Sequence, residues 1–431
     1  TTIKVESGVT SASLSGVISG SGNLTKTGAG ALTLSGTNTY TGTTAVNDGD
    51  LDLSNNSGFG ASGASQGTTV ASGASLKVGS SVTNSAEPLT IAGTGYSSYG
   101  ALFFNGGGKF SGTVALSADA TIRVTSGTTG EISGVISGSS TLTKSDLGTL
   151  TLSGANTYTG ATTVSAGSIA VSNASSLGTT AAATSVTSGA AIKVSGGVTV
   201  AEALTISGDG SSSAGALQNT SGTNVWSGAI TLGAASEIQI DSGTTLTMSG
   251  GISGTNTNLT IDGVGTSTVS AAIATGTGTL TKSGAGTLTL SAANTYSGTT
   301  TISDSGGGVT VSGSGSLGSG SYGAGISLGT STTFTYASST NQTFSGVISG
   351  AGALTKNVGS STLTLSGANT YTGATTISTG VVAISKNTAL GDDGTNRSTT
   401  SVASGASVSV SGGLTDVKEP ITISGTGVTS N

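Results

Sequence analysis

The chain has 431 residues, of which 7% are charged and 75 are glycine, with a net charge of −6. Its twelve basic residues cannot neutralise a run of phosphates, so nucleic acid is not expected as a partner. Histidine and cysteine are absent, which removes the commonest general base and the commonest metal ligand. No stretch reaches the roughly 18 apolar residues of a membrane span. We therefore predict no cofactor and no membrane insertion.

Short runs of alternating apolar and polar residues recur along the whole chain. Examples are Leu32-Thr33-Leu34, Ile192-Lys193-Val194 and Ile238-Gln239-Ile240. Alternation with a period of two is typical of strands, and no helical period extends beyond a turn or two. The pattern predicts an all-β protein made almost entirely of strands and turns.

Four copies of one block follow each other along the chain, near 16–49, 134–167, 278–302 and 346–380. Each copy contains Leu-Thr-Lys, then Leu-Thr-Leu-Ser, then Asn-Thr-Tyr or a close equivalent. The asparagines and tyrosines are Asn38, Tyr40, Asn156, Tyr158, Asn294, Tyr296, Asn369 and Tyr371. The tyrosines are unevenly spaced, as expected when whole coils are inserted or dropped. Internal repeats of this kind indicate a solenoid.

Each short strand can bury one face only when coils stack on one another. We therefore predict a parallel β-helix, or β-solenoid, of about 20 coils that forms an elongated rod. It would be a single continuous segment over residues 1–431. Both ends fall in mid-repeat, so we expect a segment that is truncated at both ends.

The repeated polar positions have structural interpretations. The asparagines are expected at corners, where the side chain bonds backbone groups, and the tyrosines are expected to point inward. The lysines of the Leu-Thr-Lys motif are interpreted as charges that keep strand ends solvated. These lysines are Lys26, Lys144, Lys282 and Lys356.

The stretch from Gly16 to Gly42 resembles the passenger-associated transport repeat of bacterial autotransporters, and similar sequences recur in the other three copies. The resemblance implies a β-helix passenger carried across an outer membrane, anchored there or released. Such passengers act as adhesins, aggregation factors or biofilm components. The resemblance is specific for architecture and does not name an activity.

Tyr96, Tyr99, Phe103 and Phe104 form the densest aromatic group and are the candidate binding patch. The matching stretch around 211–219 lacks these aromatic residues. The alternative interpretation is a wider coil that aromatic side chains fill. The single tryptophan, Trp226, has Phe110 and Phe344 as its counterparts, which favours a core role over sugar stacking.

Acidic residues offer only weak metal or catalytic candidates. Asp48, Asp50 and Asp52 alternate and could bind a cation or act as an acid/base set, but a solvated strand edge is the favoured interpretation. Asp392 and Asp393 could form a calcium loop, although an inserted loop is favoured.

The leading hypothesis is a structural or adhesive surface protein and not an enzyme. Its expected partners are further repeats of the same chain, other copies of itself, and host or matrix glycans. It would mediate adhesion, aggregation, biofilm or filament formation. A polysaccharide-degrading β-helix enzyme is one alternative. An ice-binding solenoid is another, suggested by Thr-x-Thr triplets, and it would need a flat ladder of threonines.

Overall fold

A computed structural model describes residues 1–61, 66–83, 85–303, 306–392, 394 and 399–428. These residues form short strands, and the strand pairs in all the recorded registers are parallel. The fold is a parallel β-solenoid of about 19 turns, which confirms the predicted class. Within the described residues, single turns of 3₁₀ helix lie at Tyr96–Ser98, Ser211–Ser213 and Gly318–Gly320.

Short strands succeed one another along the chain from its first residues. The first are β1 Thr2–Lys4, β2 Ser11–Leu14, β3 Leu24–Thr27, β4 Ala31–Leu34, β5 Thr44–Val46, β6 Gly49–Leu53, β7 Thr68–Val70, β8 Ala74–Gly79, β9 Leu89–Gly93, β10 Leu102–Asn105 and β11 Gly108–Phe110. The next are β12 Val114–Val124, β13 Thr129–Ile132, β14 Ile136–Gly138, β15 Leu142–Ser145, β16 Thr149–Leu152, β17 Thr162–Val164, β18 Gly167–Val171, β19 Thr184–Val186, β20 Ala190–Val194, β21 Thr199–Val200, β22 Leu204–Gly208 and β23 Leu217–Asn219.

The remaining strands follow the same pattern. They are β24 Thr223–Trp226, β25 Ile230–Ile240, β26 Thr245–Met248, β27 Ile252–Gly254, β28 Leu259–Gly263, β29 Thr266–Val269, β30 Ile273–Ala274, β31 Leu280–Lys282, β32 Thr287–Leu290, β33 Thr300–Ile302 and β34 Gly308–Gly313. The last are β35 Ser321–Tyr322, β36 Ile326–Leu328, β37 Thr333–Ser338, β38 Gln342–Phe344, β39 Ile348–Gly350, β40 Ala353–Leu365, β41 Thr375–Ile384, β42 Thr400–Val402, β43 Ala406–Val410 and β44 Ile421–Ile423.

The chain divides into two compact units. Unit 1 comprises Thr1–Thr205 and Gly210–Leu217, and unit 2 comprises Ile206–Asp209 and Gln218–Asn431. That the chain is one uninterrupted solenoid segment stays a prediction.

Each unit has a core of stacked inward side chains. In unit 1 one buried column runs through Leu32, Leu51, Leu76, Leu102 and Ile122. In unit 2 another runs through Met248, Val269, Leu290, Val311 and Tyr336. Apolar side chains at every second position meet their counterparts one coil away, so burial on this face favours the stacked arrangement.

Coil length varies while register is kept. Leu32 pairs with Leu51, 19 residues later, whereas Leu76 pairs with Leu102, 26 residues later. The extra residues of the longer coils lie in the corners between strands. Gly167, directly after one such corner, has φ +64°, and a Cβ there would collide with the Gly148 carbonyl oxygen, so only glycine fits.

Candidate functional site

The asparagine of each Asn-Thr-Tyr motif links its coil to the coils before and after it. Asn156 Oδ1 accepts a hydrogen bond from Ile136 N at 2.8 Å, and its Nδ2 donates to Ser176 O at 2.5 Å. The equivalent partners are Ile18 N and Gly58 O for Asn38, Ile273 N and Ser316 O for Asn294, and Ile348 N and Ala389 O for Asn369. All four asparagines are buried. Each asparagine amide therefore links its own coil to the two neighbouring coils by hydrogen bonds.

The tyrosine two residues later fills the interior. Tyr40, Tyr158, Tyr296 and Tyr371 are all buried. Tyr158 Oη lies 2.7 Å from Thr162 Oγ1, and the other three tyrosines bond Thr44, Thr300 and Thr375 in the same way. Burial raises the pKa of Tyr40 to about 12, so its hydroxyl stays protonated. These tyrosines are packing residues of the core.

The lysines of the Leu-Thr-Lys motif are buried, which corrects their interpretation as solvated charges. Lys144 takes an inward position between Ile122 and Val164 of the adjacent coils. Its Nζ donates to the carbonyl oxygens of Ser145 at 2.9 Å and Asp146 at 2.6 Å. The ammonium thus donates to backbone carbonyl oxygens at a corner. Lysine shares the parity of the preceding leucine, and this alternation could have indicated burial.

Burial shifts the protonation of these lysines. Desolvation lowers the pKa of Lys144, Lys282 and Lys356 from 10.5 to about 8. We expect their side-chain resonances to titrate with midpoints near pH 8 in an NMR titration of protein carrying ¹³Cε-labelled lysine. The Lys144→Met variant assigns one of these signals by its loss. Midpoints above pH 10 for all three would contradict the buried placement.

Buried glutamates form a second feature of the interior, to which the sequence patterns assigned no role. Thr68 Oγ1 donates to Glu87 Oε1 at 3.1 Å, and Thr184 Oγ1 donates to Glu202 Oε1 at 3.2 Å. The same pairing joins Thr400 and Glu419. Burial raises the pKa of Glu87 and of Glu202 from 4.5 to about 7. Glu87 shares the parity of inward Leu89 and Ile91, so the alternation of the sequence could have indicated that Glu87 is buried.

Two of the four residues of the predicted aromatic patch, Tyr96 and Tyr99, reach the outer side of unit 1, and Phe103 is buried at 7% exposure. Tyr99 is 37% exposed and Tyr96 is half-buried. Phe103 lies beneath Tyr99, with 5.9 Å between ring centroids and 17° between planes. Phe104 is fully buried because it shares the inward parity of Leu102, so it cannot contribute to a surface.

Of the acidic candidates, Asp50 and Asp52 lie beside the same lysine, Lys77. Asp48 is exposed and accepts from Gly49 N at 2.8 Å. Asp50 Oδ2 lies 2.7 Å from Lys77 Nζ, and Asp52 Oδ1 lies 3.9 Å from it. Asp392 accepts from Gly394 N at 3.0 Å, and Asp393 lies outside the described residues. No group of three or more metal-ligating side chains occurs in the described part of the chain.

Trp226 is fully buried, as are its counterparts Phe110 and Phe344. It packs in a column of unit 2 directly against Met248 of the next coil. Among the described residues, no helix is long and apolar enough to cross a membrane.

Comparison with protein families gives four matches to the passenger-associated-transport-repeat, at residues 24–53, 142–171, 280–311 and 354–384. Each match overlaps one of the four predicted copies and contains its buried lysine, asparagine and tyrosine. Comparison with curated proteins and with solved structures gives no significant match. The matched repeats cover less than a third of the chain and, together with the parallel β-solenoid, are consistent with an autotransporter passenger built from such repeats, which implies a surface-exposed or secreted segment.

Proposed function

We propose that the chain is an adhesive scaffold segment, displayed at a bacterial surface on an outer-membrane anchor or released from it. Its repeated outer faces would make many weak contacts with copies of itself or with host and matrix glycans. Aggregation, biofilm growth or filament formation would follow from those contacts. A repeated surface multiplies weak interactions through avidity, so no single contact needs to be strong.

A continuous row of hydroxyl side chains on unit 2 carries this proposal. The row consists of Thr247, Thr268, Thr289, Thr310, Thr335, Thr355, Thr376, Ser401 and Thr422. Each member pairs in register with the next, and each is partly or fully exposed. Neighbouring strands lie about 4.8 Å apart, so the row presents hydroxyl groups at that repeat. We call it the threonine row.

Charges placed in the middle of the threonine row test the proposal. Beads coated with the purified chain are expected to clump and to adhere to glycan-coated surfaces. Thr289→Lys with Thr310→Lys should reduce both several-fold, because a charged side chain interrupts the neutral hydroxyl surface. Bead clumping and adhesion are counted by microscopy at matched coating density.

The matched control moves the same charges to another face of the same coils. Thr281 and Thr301 pair with each other in the other sheet, on β31 and β33. Thr281→Lys with Thr301→Lys should leave most of the adhesion intact. An equal loss in both double variants, or no adhesion by the wild-type chain, would contradict the proposal.

An ice-binding function is the second candidate, because the threonine row has a partial companion. Thr245, Thr266 and Thr287 pair in register two residues before members of the row, which gives a two-dimensional hydroxyl array on three coils. The companion is interrupted at Gly308 and Ala353. Regular spacing could match a crystalline surface, and a thermal hysteresis measurement decides it. Absence of hysteresis removes this candidate.

The polysaccharide-degrading alternative needs acids together with arginine or lysine on one coil face. Unit 1 brings Asp50, Lys77 and Arg123 to one side, but both cations already form ion pairs with carboxylates. Lys77 Nζ lies 2.7 Å from Asp50 Oδ2, and Arg123 Nε donates to Asp146 Oδ2 at 2.8 Å. Glycoside hydrolysis needs two carboxyl groups that flank a bond. We therefore favour a role without catalysis.

A further inference from the structure

One outward row of unit 1 carries charged and aromatic side chains where other rows carry threonine and serine. Asp52, Lys77, Phe103 and Arg123 pair in register on β6, β8, β10 and β12. Tyr99, which directly follows the 3₁₀ turn Tyr96–Ser98, stacks over Phe103. We call these five residues the Tyr99 row.

Two cations lie over the Tyr99 ring. Lys77 Nζ lies 4.7 Å from the centroid of the Tyr99 ring, and Arg123 Cζ lies 5.2 Å from it. Such cation–π contacts fix the ring's position. Because the ring is already fixed, little side-chain entropy would be lost on binding a ligand.

The solenoid does not require this row. The matching stretch around 211–219 keeps the same turn, since Ser212 has φ 59° where Ser97 has φ 47°. Ala214 and Gln218 of that stretch, and Gln239 of β25, stand at the positions of Tyr99, Phe103 and Arg123. A coil therefore forms without the aromatic stack or the arginine, and the cluster calls for an explanation other than folding.

We propose that the Tyr99 row binds a neutral sugar unit of an extracellular glycan. A pyranose presents an apolar C–H face that packs on an aromatic ring, and the exposed part of Tyr99 offers such a ring. Hydrogen-bond donors and hydrogen-bond acceptors for sugar hydroxyl groups surround that ring. No described residue accepts from the Arg123 Nη groups, and the Asp52 carboxylate is one-third exposed. Arginine donors and a carboxylate acceptor match the hydroxyl groups of a sugar ring.

The charge balance favours a neutral sugar over an acidic one. Both cations of the row are already paired with carboxylates, since Lys77 Nζ lies 2.7 Å from Asp50 Oδ2 and Arg123 Nε lies 2.8 Å from Asp146 Oδ2. A uronate would have to compete with these carboxylates for its counter-charge. A neutral sugar needs no such compensation, because its hydroxyl groups donate as well as accept.

The inference rests on the proposed adhesive function only for the source of the glycan, so sugar binding and adhesion are measured separately. The 431-residue chain is titrated with cellohexaose, maltohexaose, mannohexaose and hexagalacturonate by isothermal titration calorimetry. The chain is also labelled with 3-fluorotyrosine, and the Tyr99 signal among the eight tyrosines is assigned by its loss in Tyr99→Phe. We expect at least one neutral hexasaccharide to bind in the millimolar range or tighter and to shift the Tyr99 signal.

The variants carry the residues of the matching stretch around 211–219 and of β25, where a coil forms without the aromatic stack or the arginine. Tyr99→Ala and Arg123→Gln should each weaken binding at least 10-fold, with the thermal unfolding midpoint as the check on folding. Lys109→Ala is the control, because Lys109 is exposed and pairs with Glu131 away from the row. It should bind like the wild type.

Four outcomes would overturn the proposal. These are no binding of any neutral hexasaccharide, binding that Tyr99→Ala leaves unchanged, tighter binding of hexagalacturonate, and release of reducing ends from the bound sugar. Bead adhesion that persists in Tyr99→Ala after sugar binding is lost would support this site and leave the threonine row to account for adhesion.

Discussion

Replacing Glu87 and Glu202 by glutamine is expected to stabilise unit 1 at pH 8 by about 2–3 kcal/mol for each site. Both carboxyl groups are buried, and among the described residues only Thr68 or Thr184 donates a hydrogen bond to them. The facing titratable groups are Tyr40 and Tyr158, which stay neutral. An ionised carboxylate in this interior lacks the solvation that it has in the unfolded chain, whereas glutamine is neutral at every pH.

The sign follows from the folded and unfolded pKa values of the glutamates. Burial raises the pKa from 4.5 to about 7 in the folded chain, so folding favours the protonated form. Their contribution to stability is fully present below pH 4.5 and is lost as the pH rises through 7. The wild type should therefore weaken between pH 5 and pH 8, and Glu87→Gln with Glu202→Gln should flatten that part of the profile.

Denaturant unfolding at pH 5, 6, 7 and 8 measures this effect. Glu131→Gln serves as the control, because Glu131 is on the outer side and lies 2.9 Å from Lys109 Nζ. It should leave the slope with pH unchanged. A double variant that is no more stable than the wild type at pH 8, or a gain that is as large at pH 5, would refute the buried-carboxyl explanation.

Replacing Asn156 by alanine is expected to cost about 3 kcal/mol of unfolding free energy. The substitution leaves Ile136 N and Ser176 O without their side-chain partner. Both backbone groups lie between coils, where water does not replace the lost bonds without cost. Hydrogen exchange should locate the weakening on the coils around 136 and 176 as well as on residue 156, because the amide links all three.

Asn156→Asp sharpens the same test. A carboxylate keeps the acceptor for Ile136 N but sets an anionic oxygen against Ser176 O, so the loss at pH 7 should match or exceed that of alanine. Protonation restores a donor, and part of the stability should return at pH 4. Asn23→Ala is the control, since exposed Asn23 accepts from Thr43 N at the surface. Equal losses of stability in Asn23→Ala and Asn156→Ala would contradict the stabilising role of the hydrogen bonds that Asn156 makes between coils.

Alternation of apolar and polar residues was sufficient to predict the class of fold. Leu32, Leu34 and the inward tyrosines lie in the core because a period of two sends every second side chain to one face. The repeats predicted parallel stacking, because one short coil cannot bury its own inner face. The family comparison supports the same conclusion through four matches to one repeat.

Burial of Lys144 and Glu87 could not be settled by composition rules, which place charged residues outside. Parity pointed inward for both, but only the corner geometry provides the carbonyl oxygens that accept from Lys144 Nζ. The lowered pKa of Lys144 follows from that geometry, and no local sequence pattern indicates it.

The sequence by itself determined the strands, their inward faces and the repeat family, since these depend on local periodicity and on residues a few positions apart. Only the tertiary structure decided which outward residues meet. Asp52, Lys77, Phe103 and Arg123 are each 20 to 26 residues from the next in sequence but adjacent in register, and variable corner lengths set that register. The Tyr99 row and the threonine row follow from coil stacking, because contacts between coils depend on how many residues each corner takes up.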